Sequence, residues 1–178
     1  MKIVVDKDIV LETLKEKDVQ ESFELVDRNR GYLREWLHWV DKTKSVEDRM
    51  KYINYALNKQ NNNEGLDFKI KYCDTLIGSI GYDLGDFKSA EIGYWIEKQY
   101  SGKGIVTKCC ERLIEYLFKE LKVHRIVIKV AEKNIKSRKI PERLGFKQEG
   151  ILRDVDILHG QYHSDVIYGI LENEYNKK

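Results

Sequence analysis

The most regular hydrophobic spacing in the chain runs from Ile105 to Leu121. Ile105, Val106, Cys109, Cys110, Leu113, Ile114, Leu117, Phe118 and Leu121 recur at helical intervals opposite Lys108, Glu111, Arg112, Glu115 and Lys119, which predicts an amphipathic helix. Before it, DFKIKYC, LIGSIGYDL and SAEIGYWI are separated by the short turns CDT and GDFK and read as an antiparallel meander. After it, His124 to Glu132 alternates as a strand. Residues 90–132 therefore spell strand, turn, helix, strand, a crossover that should be right-handed and leave its two strands parallel. Toward the N-terminus, Ile9 to Leu14 reads as a first strand and Glu16 to Arg28 as a helix resting on Val19, Phe23, Leu25 and Val26. In GYLREWLHWV, Leu33, Trp36, Leu37 and Val40 repeat at helical spacing, either as a core stripe or, through Tyr32, Trp36 and Trp39, as a wall for a substrate. Ser45, with Glu47 and Asp48 behind it, opens a helix bearing Met50, Ile53 and Leu57 on one face, which the polar run 59–65 ends. A short helix over Lys136 to Leu144 leads into a hairpin that turns at His159 and Gly160. The sum is an α+β fold: a mixed, mostly antiparallel twisted sheet flanked by helices, with one parallel join.

Length and composition narrow this further. The 178 residues suit one domain over 1–178, and the single proline, Pro141, leaves no proline-rich linker. Thirty-two basic and thirty acidic side chains nearly cancel to a net +2, which argues against a nucleic-acid coat or a polybasic membrane anchor. Three cysteines, two of them adjacent in a helical pattern, do not form a disulfide framework. No signal peptide and no long apolar run is present, so the expected location is the reducing cytoplasm.

QYSGKGIVTKCC (99–110) is the stretch that carries chemistry, because Gly102 and Gly104 stand where the long helix begins. A helix N-terminus offers unpaired N–H groups and the positive end of a dipole, and glycine lets the backbone approach an anion. The spacing excludes a P-loop, since Gly104 rather than Ser or Thr follows Lys103. It also excludes the dinucleotide fingerprint, since Thr107 stands where a third glycine is needed.

Gln99-Tyr100-Ser101-Gly102-Lys103-Gly104 resembles the Q/R-x-x-G-x-G/A signature of the GNAT superfamily of acyl-CoA-dependent N-acyltransferases, and an EIGYWI strand precedes it as in that family. Asn134-Ile135-Lys136-Ser137 leading to Leu144-Gly145-Phe146 is similar to the family's second CoA-contacting segment. YLREWLHWV and the final hairpin resemble the ribosomal-protein (RimJ/RimL-type) branch, so the resemblance spans nearly the whole chain. It implies acetyl-CoA as acyl donor, with the amides of Gly102, Lys103, Gly104, Ile105 and Val106 on its diphosphate and the Thr107 hydroxyl adding a contact. The pantetheine arm would lie like an extra strand along Tyr94, Trp95 and Ile96, with Asn134 on its other side and Lys103, Lys139 and Arg143 neutralising phosphates.

The implied reaction is direct attack of a neutral amine on the thioester, with a backbone N–H of a bulged strand near Tyr94 to Ile96 polarising the carbonyl. Many family members protonate the leaving sulfur with a helix tyrosine, but none occurs between Asn134 and Phe146, and Ser137 stands in the place that the RimL-type branch uses. Glu91 is the candidate base acting through water, with Asp165 and His163 behind it. Tyr32, Trp36, Trp39 and His163 are the candidate acceptor contacts. His159 and His163 do not make a metal site, and no metal is expected. The acceptor is an amine, a protein N-terminal α-amine in the RimL-like case or otherwise a small amine, and a weakly active CoA-binding sensor is the further alternative. No nucleic acid or membrane partner is implied, and a homodimer is compatible with the resemblance. Pro141 deprives Ser137 of a helical partner for its carbonyl, so the short helix is either kinked or restarts there.

Overall fold

A computed structural model describes residues 1–175, so positions 176–178 of the expected domain lie outside the described residues. Its strands are β1 (Lys2–Val4), β2 (Ile9–Thr13), β3 (Gly65–Tyr72), β4 (Thr75–Gly85), β5 (Ser89–Ile96), β6 (Arg125–Ala131), β7 (Lys147–Leu158) and β8 (Gln161–Leu171). They join one sheet in the order β1-β2-β3-β4-β5-β6-β8-β7. Every pairing is antiparallel except β5 with β6, which is parallel. The meander and the single crossover therefore stand as the periodicity reads them. The strand expected first is the second, because the short β1 precedes it and pairs Ile3 with Leu11.

Helices α1 (Val19–Arg28), α2 (Arg30–Leu33), α3 (Val46–Asn61), α4 (Ile105–Lys119), α5 (Ile135–Arg143) and α6 (Glu172–Tyr175) flank the sheet. The apolar stripe of α4 is buried at Cys109, Cys110, Leu113, Ile114 and Leu117, against Ile92, Ile126 and Tyr168 of the sheet. Truncating one such leucine to alanine typically costs about 2–5 kcal/mol, so this seam fixes where α4 begins and hence where the glycine turn sits.

Two expectations change on the other face. GYLREWLHWV is not one helix: α2 ends at Leu33, and a separate 3-10 turn covers His38–Lys42. Arg30 accounts for the break, donating to the carbonyls of Val40 and Thr43 at 2.6 Å each and pulling the chain back on itself. In α3, which Ser45 caps through Asp48 N as expected, Ile53 is buried as expected, but it shares the buried face with Arg49, Ala56 and Lys59, and Met50 and Leu57 are only partly buried. Arg49 lies 4.4 Å from the Tyr52 ring and 5.6 Å from that of Trp39. Lys59 pairs with Asp67 at 2.7 Å and Asp83 at 2.8 Å. Stacked or paired cations can be buried where a hydrophobicity pattern expects methionine and leucine. Among the described residues no helix is long and apolar enough to cross a membrane.

Candidate active site

The turn between β5 and α4 is held from below. Glu97, 7% exposed, pairs with Arg28 at 3.1 Å, and Asn29 accepts from Lys98 N at 3.1 Å while donating to Leu25 O at 2.9 Å. Burial opposes the Glu97 charge, but hydrogen bonds from Arg28, Asn29 and Gln99 outweigh it and hold the carboxyl below the usual range. From above, the Tyr32 hydroxyl donates to Ser101 Oγ at 3.2 Å. Gly102 and Gly104 both have φ +78°, the left-handed region that favours glycine. Gly104 is also the N-cap of α4, whose first turn has neither a capping side chain nor an acidic residue. A Cβ at either glycine would meet no protein atom within 4 Å, so it would project into the open space over those amides. An uncapped helix start facing vacant space is suited to an anion.

Beside the turn, the sheet opens. β5 pairs with β6 only through Ser89, Ala90 and Glu91, although β5 runs on to Ile96 and β6 to Ala131. The bulge expected near Tyr94 to Ile96 is absent: β5 follows β4 in continuous register from Gly85↔Ser89 to Gly78↔Ile96. Divergence of the parallel pair makes the opening instead. Glu97 N donates to Ile77 O on the β4 side, so strand alternation turns the main-chain groups of Tyr94 and Ile96 toward the gap. A cavity of about 520 Å³ fills it, lined by Tyr94, Trp95, Ile96, Gly102, Gly104, Ile105, Val106 and Thr107 on one side and by Asn134, Ser137, Lys139 and Arg143 on the other.

α5 presents that second wall. Asn134 caps it, accepting from Ser137 N at 3.1 Å. Arg138 donates to Tyr168 Oη at 2.9 Å, and that hydroxyl donates to Glu142 at 2.8 Å, which pins the helix to β8. Pro141 neither ends α5 nor restarts it; the helix runs to Arg143. Ser137 meets the hydroxyl of Tyr94, which lies 3.2 Å from its Oγ and 3.3 Å from its carbonyl oxygen.

Strand parity sorts the acceptor candidates. Glu91, Gly93 and Trp95 point to the face opposite the α4 core. Tyr32 and Trp36 line the cavity there, whereas Trp39 does not: it packs behind Trp95, 6.0 Å between ring centres and tilted by 58°, and buttresses the wall. Glu91 lies outside the lining and pairs with Lys129 of β6 at 2.7 Å, so the structure does not bring it to Ser137 as a free base. Asp165 stands diagonally behind, its pKa raised by burial first and then by Asp156 and Glu91. His163 sits opposite Asp156 in the hairpin, also away from the cavity. Gln99 serves Glu97 rather than the cavity, and Lys103 lies 5.3 Å over the Tyr100 ring in a side pocket, so neither belongs to the wall expected of them. Among the described residues no cluster of three His, Cys, Asp or Glu could hold a metal.

Among the lining residues that the sequence reading did not assign to the site are Leu33, Glu35, Leu37, Lys133, Lys136 and Ile140. Lys133 and Lys136 could have been found, since they flank Asn134 at the start of a helix already assigned to the cleft. The reach of Tyr94 to Ser137 joins two segments 43 positions apart and has only the free carbonyl at Pro141 as a signal.

The family model described as an acetyltransferase (GNAT) domain matches residues 8–147. YdaF of Bacillus subtilis (strain 168), provisionally named a ribosomal N-acetyltransferase, is 36% identical over 96% of this chain and 95% of its own. Among solved structures, RimL, a ribosomal L7/L12 α-N-protein acetyltransferase in complex with coenzyme A, superposes with a TM-score of 0.93 over 96% of this chain and 98% of its own at 24% identity, a likeness of fold. The microcin C7 self-immunity acetyltransferase MccE, in complex with acetyl-CoA and AMP, is 29% identical with a TM-score of 0.88, over 94% of each chain.

Proposed function

The chain belongs to the GNAT acetyltransferase family, and on that premise we propose that it transfers the acetyl group of acetyl-CoA to the N-terminal α-amine of a ribosomal protein. The observation that carries the donor side is the parting of β5 from β6 after Glu91, directly beside an uncapped, glycine-started helix. Acetyl-CoA supplies an activated acyl group when bound. The amides of Gly102 to Thr107 would take its diphosphate, with Lys139 and Arg143 adding positive charge from across the cavity. The gap-facing main-chain groups of Tyr94 and Ile96 would pair with the amide-bearing arm as a neighbouring strand does and leave an N–H for the thioester carbonyl. Ser137, on the opposite wall, would give the leaving sulfur its proton.

The acceptor side is supported by the ribosomal N-acetyltransferase name of YdaF, by the aromatic wall of Tyr32 and Trp36, and by proton chemistry. Freeing an α-amine with pKa near 8 of its proton at pH 7 costs about 1 kcal/mol, whereas a lysine near 10.4 costs about 4–5 kcal/mol. Glu91 is paired with Lys129 outside the lining and Glu35 is the one carboxylate in it, so an acceptor that needs little help from a base suits this site. MccE favours a second reading, a small amine-bearing acceptor in the same cavity.

The test incubates the protein and acetyl-CoA with peptides copying ribosomal-protein N-termini, the same peptides with blocked α-amines, and a panel of polyamines and amino acids, following free thiol. Faster thiol release with the free N-terminal peptides than with any small amine supports the proposal. Release only with small amines selects the second reading, and coenzyme binding without release from any amine identifies a sensor and overturns both.

A further inference from the structure

Pro141 has no N–H, so the carbonyl four residues back, that of Ser137, has no helical partner. The Tyr94 hydroxyl fills that role, donating to Ser137 O at 3.3 Å. The same phenol oxygen accepts from Ser137 Oγ at 3.2 Å. One side chain of β5 thus grips α5 at two points, on the wall of the cavity that both residues line. Ser137 stands in the first turn of α5, and its hydroxyl turns toward β5, on the side where the donor's thioester would lie.

We propose that Tyr94 is a positioning residue for acetyl transfer: docked on the carbonyl that Pro141 leaves free, it holds Ser137 Oγ where the departing sulfur must be protonated. The inference rests on the reading of Ser137 as the acid given above. As the C–S bond breaks, its electron pair stays on sulfur; the Ser137 hydroxyl rotates its one proton off the Tyr94 oxygen and delivers it to that sulfur, while the Tyr94 hydroxyl stays on the Ser137 carbonyl. Oγ then regains a proton from the nitrogen of the new amide, which must shed one, so atoms and charge balance without ionising Tyr94. Burial, the largest influence, pushes the Tyr94 phenol far above its ordinary value, which keeps it a neutral hydroxyl throughout.

Steady-state kinetics with acetyl-CoA and the most active acceptor of the panel above test this on Tyr94→Phe, Ser137→Ala, their double variant and Pro141→Ala. Tyr94→Phe removes both hydrogen bonds and should lower kcat by about three- to tenfold, the size of the one that orients Ser137 Oγ, with KM for acetyl-CoA within about twofold. In the Ser137→Ala background the same change should move kcat by less than about twofold, because residues that act as a unit do not add. Pro141→Ala restores an N–H that competes for the Ser137 carbonyl, so it should lower kcat in the same range while the melting temperature holds or rises. Wild-type kcat in Tyr94→Phe or in Pro141→Ala overturns the proposal. So does an equal loss from Tyr94→Phe in both backgrounds. Should Tyr94→Phe fail to fold, Pro141→Ala decides alone, since it adds a helical bond rather than removing one. A slow Ser137→Ala with additive Tyr94→Phe sinks this inference and leaves Ser137 as the acid; a wild-type Ser137→Ala sinks both.

Discussion

Placing glutamate at position 104 puts a carboxylate where the account puts a diphosphate. Gly104 has φ +78°, and a non-glycine residue held there costs about 1–2 kcal/mol. For a chain of this size that lowers the melting temperature by about 2–8 °C, so the protein should still fold. Folding is further protected because the new Cβ meets no atom within 4 Å. Binding is another matter. A carboxylate about 4 Å from a phosphate charge raises the energy by about 4 kcal/mol at an effective dielectric of 20, close to a thousandfold in affinity per charge pair. As a capping side chain it would also accept from the amides of Val106 or Thr107 and deny them to the ligand. Gly104→Ala is the control, since it carries the backbone strain without the charge. Isothermal titration with acetyl-CoA should show no measurable binding for Gly104→Glu and a much smaller loss for Gly104→Ala, both in folded protein by circular dichroism. Wild-type affinity in Gly104→Glu would refute the placement of the diphosphate.

Further outcomes follow from the same geometry. Asn29→Ala strips the turn of its buried brace and should cost about 1–3 kcal/mol, read as a lower melting temperature together with a raised KM for acetyl-CoA; an unchanged KM would show that the brace does not position the turn. Glu91→Gln should leave kcat within about twofold, with kcat/KM for the peptide rising through the α-amine's own pKa near 8; a large loss would return Glu91 to the role of base. Because the pKa of folded Asp165 lies above its ordinary value, the folded state is favoured below the unfolded pKa and penalised as pH rises through the folded one. Asp165→Asn should therefore raise the melting temperature at pH 7 with the gain fading toward pH 4, and a gain independent of pH would refute that cause. Glu97 has the opposite sign, its pKa being depressed, so its contribution is present above the ordinary carboxylate pKa and lost as pH falls through the folded value. Glu97→Gln should accordingly lower the melting temperature at pH 7 and matter less in acid.

What the sequence reveals here is what local periodicity and backbone chemistry encode. The α4 stripe, the meander and the glycines at 102 and 104 follow from spacing and from positive φ, and all three are in place. The parallel join follows from the crossover that a strand-helix-strand unit makes. Side-chain destinations are less legible. Lys103 sits in the glycine signature yet turns to the Tyr100 ring, and Glu91 points to the acceptor face yet meets Lys129, a partner on another strand that no local pattern announces. Arg30 breaks the aromatic helix through carbonyls ten and thirteen residues away. Arg49 and Lys59 occupy a buried face because the Trp39 ring and the carboxylates of Asp67 and Asp83 arrive from elsewhere in the fold. The grip of Tyr94 on Ser137 is the same case, a tertiary contact whose only trace in the chain is a proline in a helix.

A crystal structure of the protein with coenzyme A is the most direct measurement. The account requires the diphosphate on the amides of Gly102 to Thr107, the pantetheine arm along Tyr94 to Ile96, and the thiol beside Ser137. Density for the coenzyme away from the gap between β5 and β6, or a gap closed by its own side chains, would contradict it.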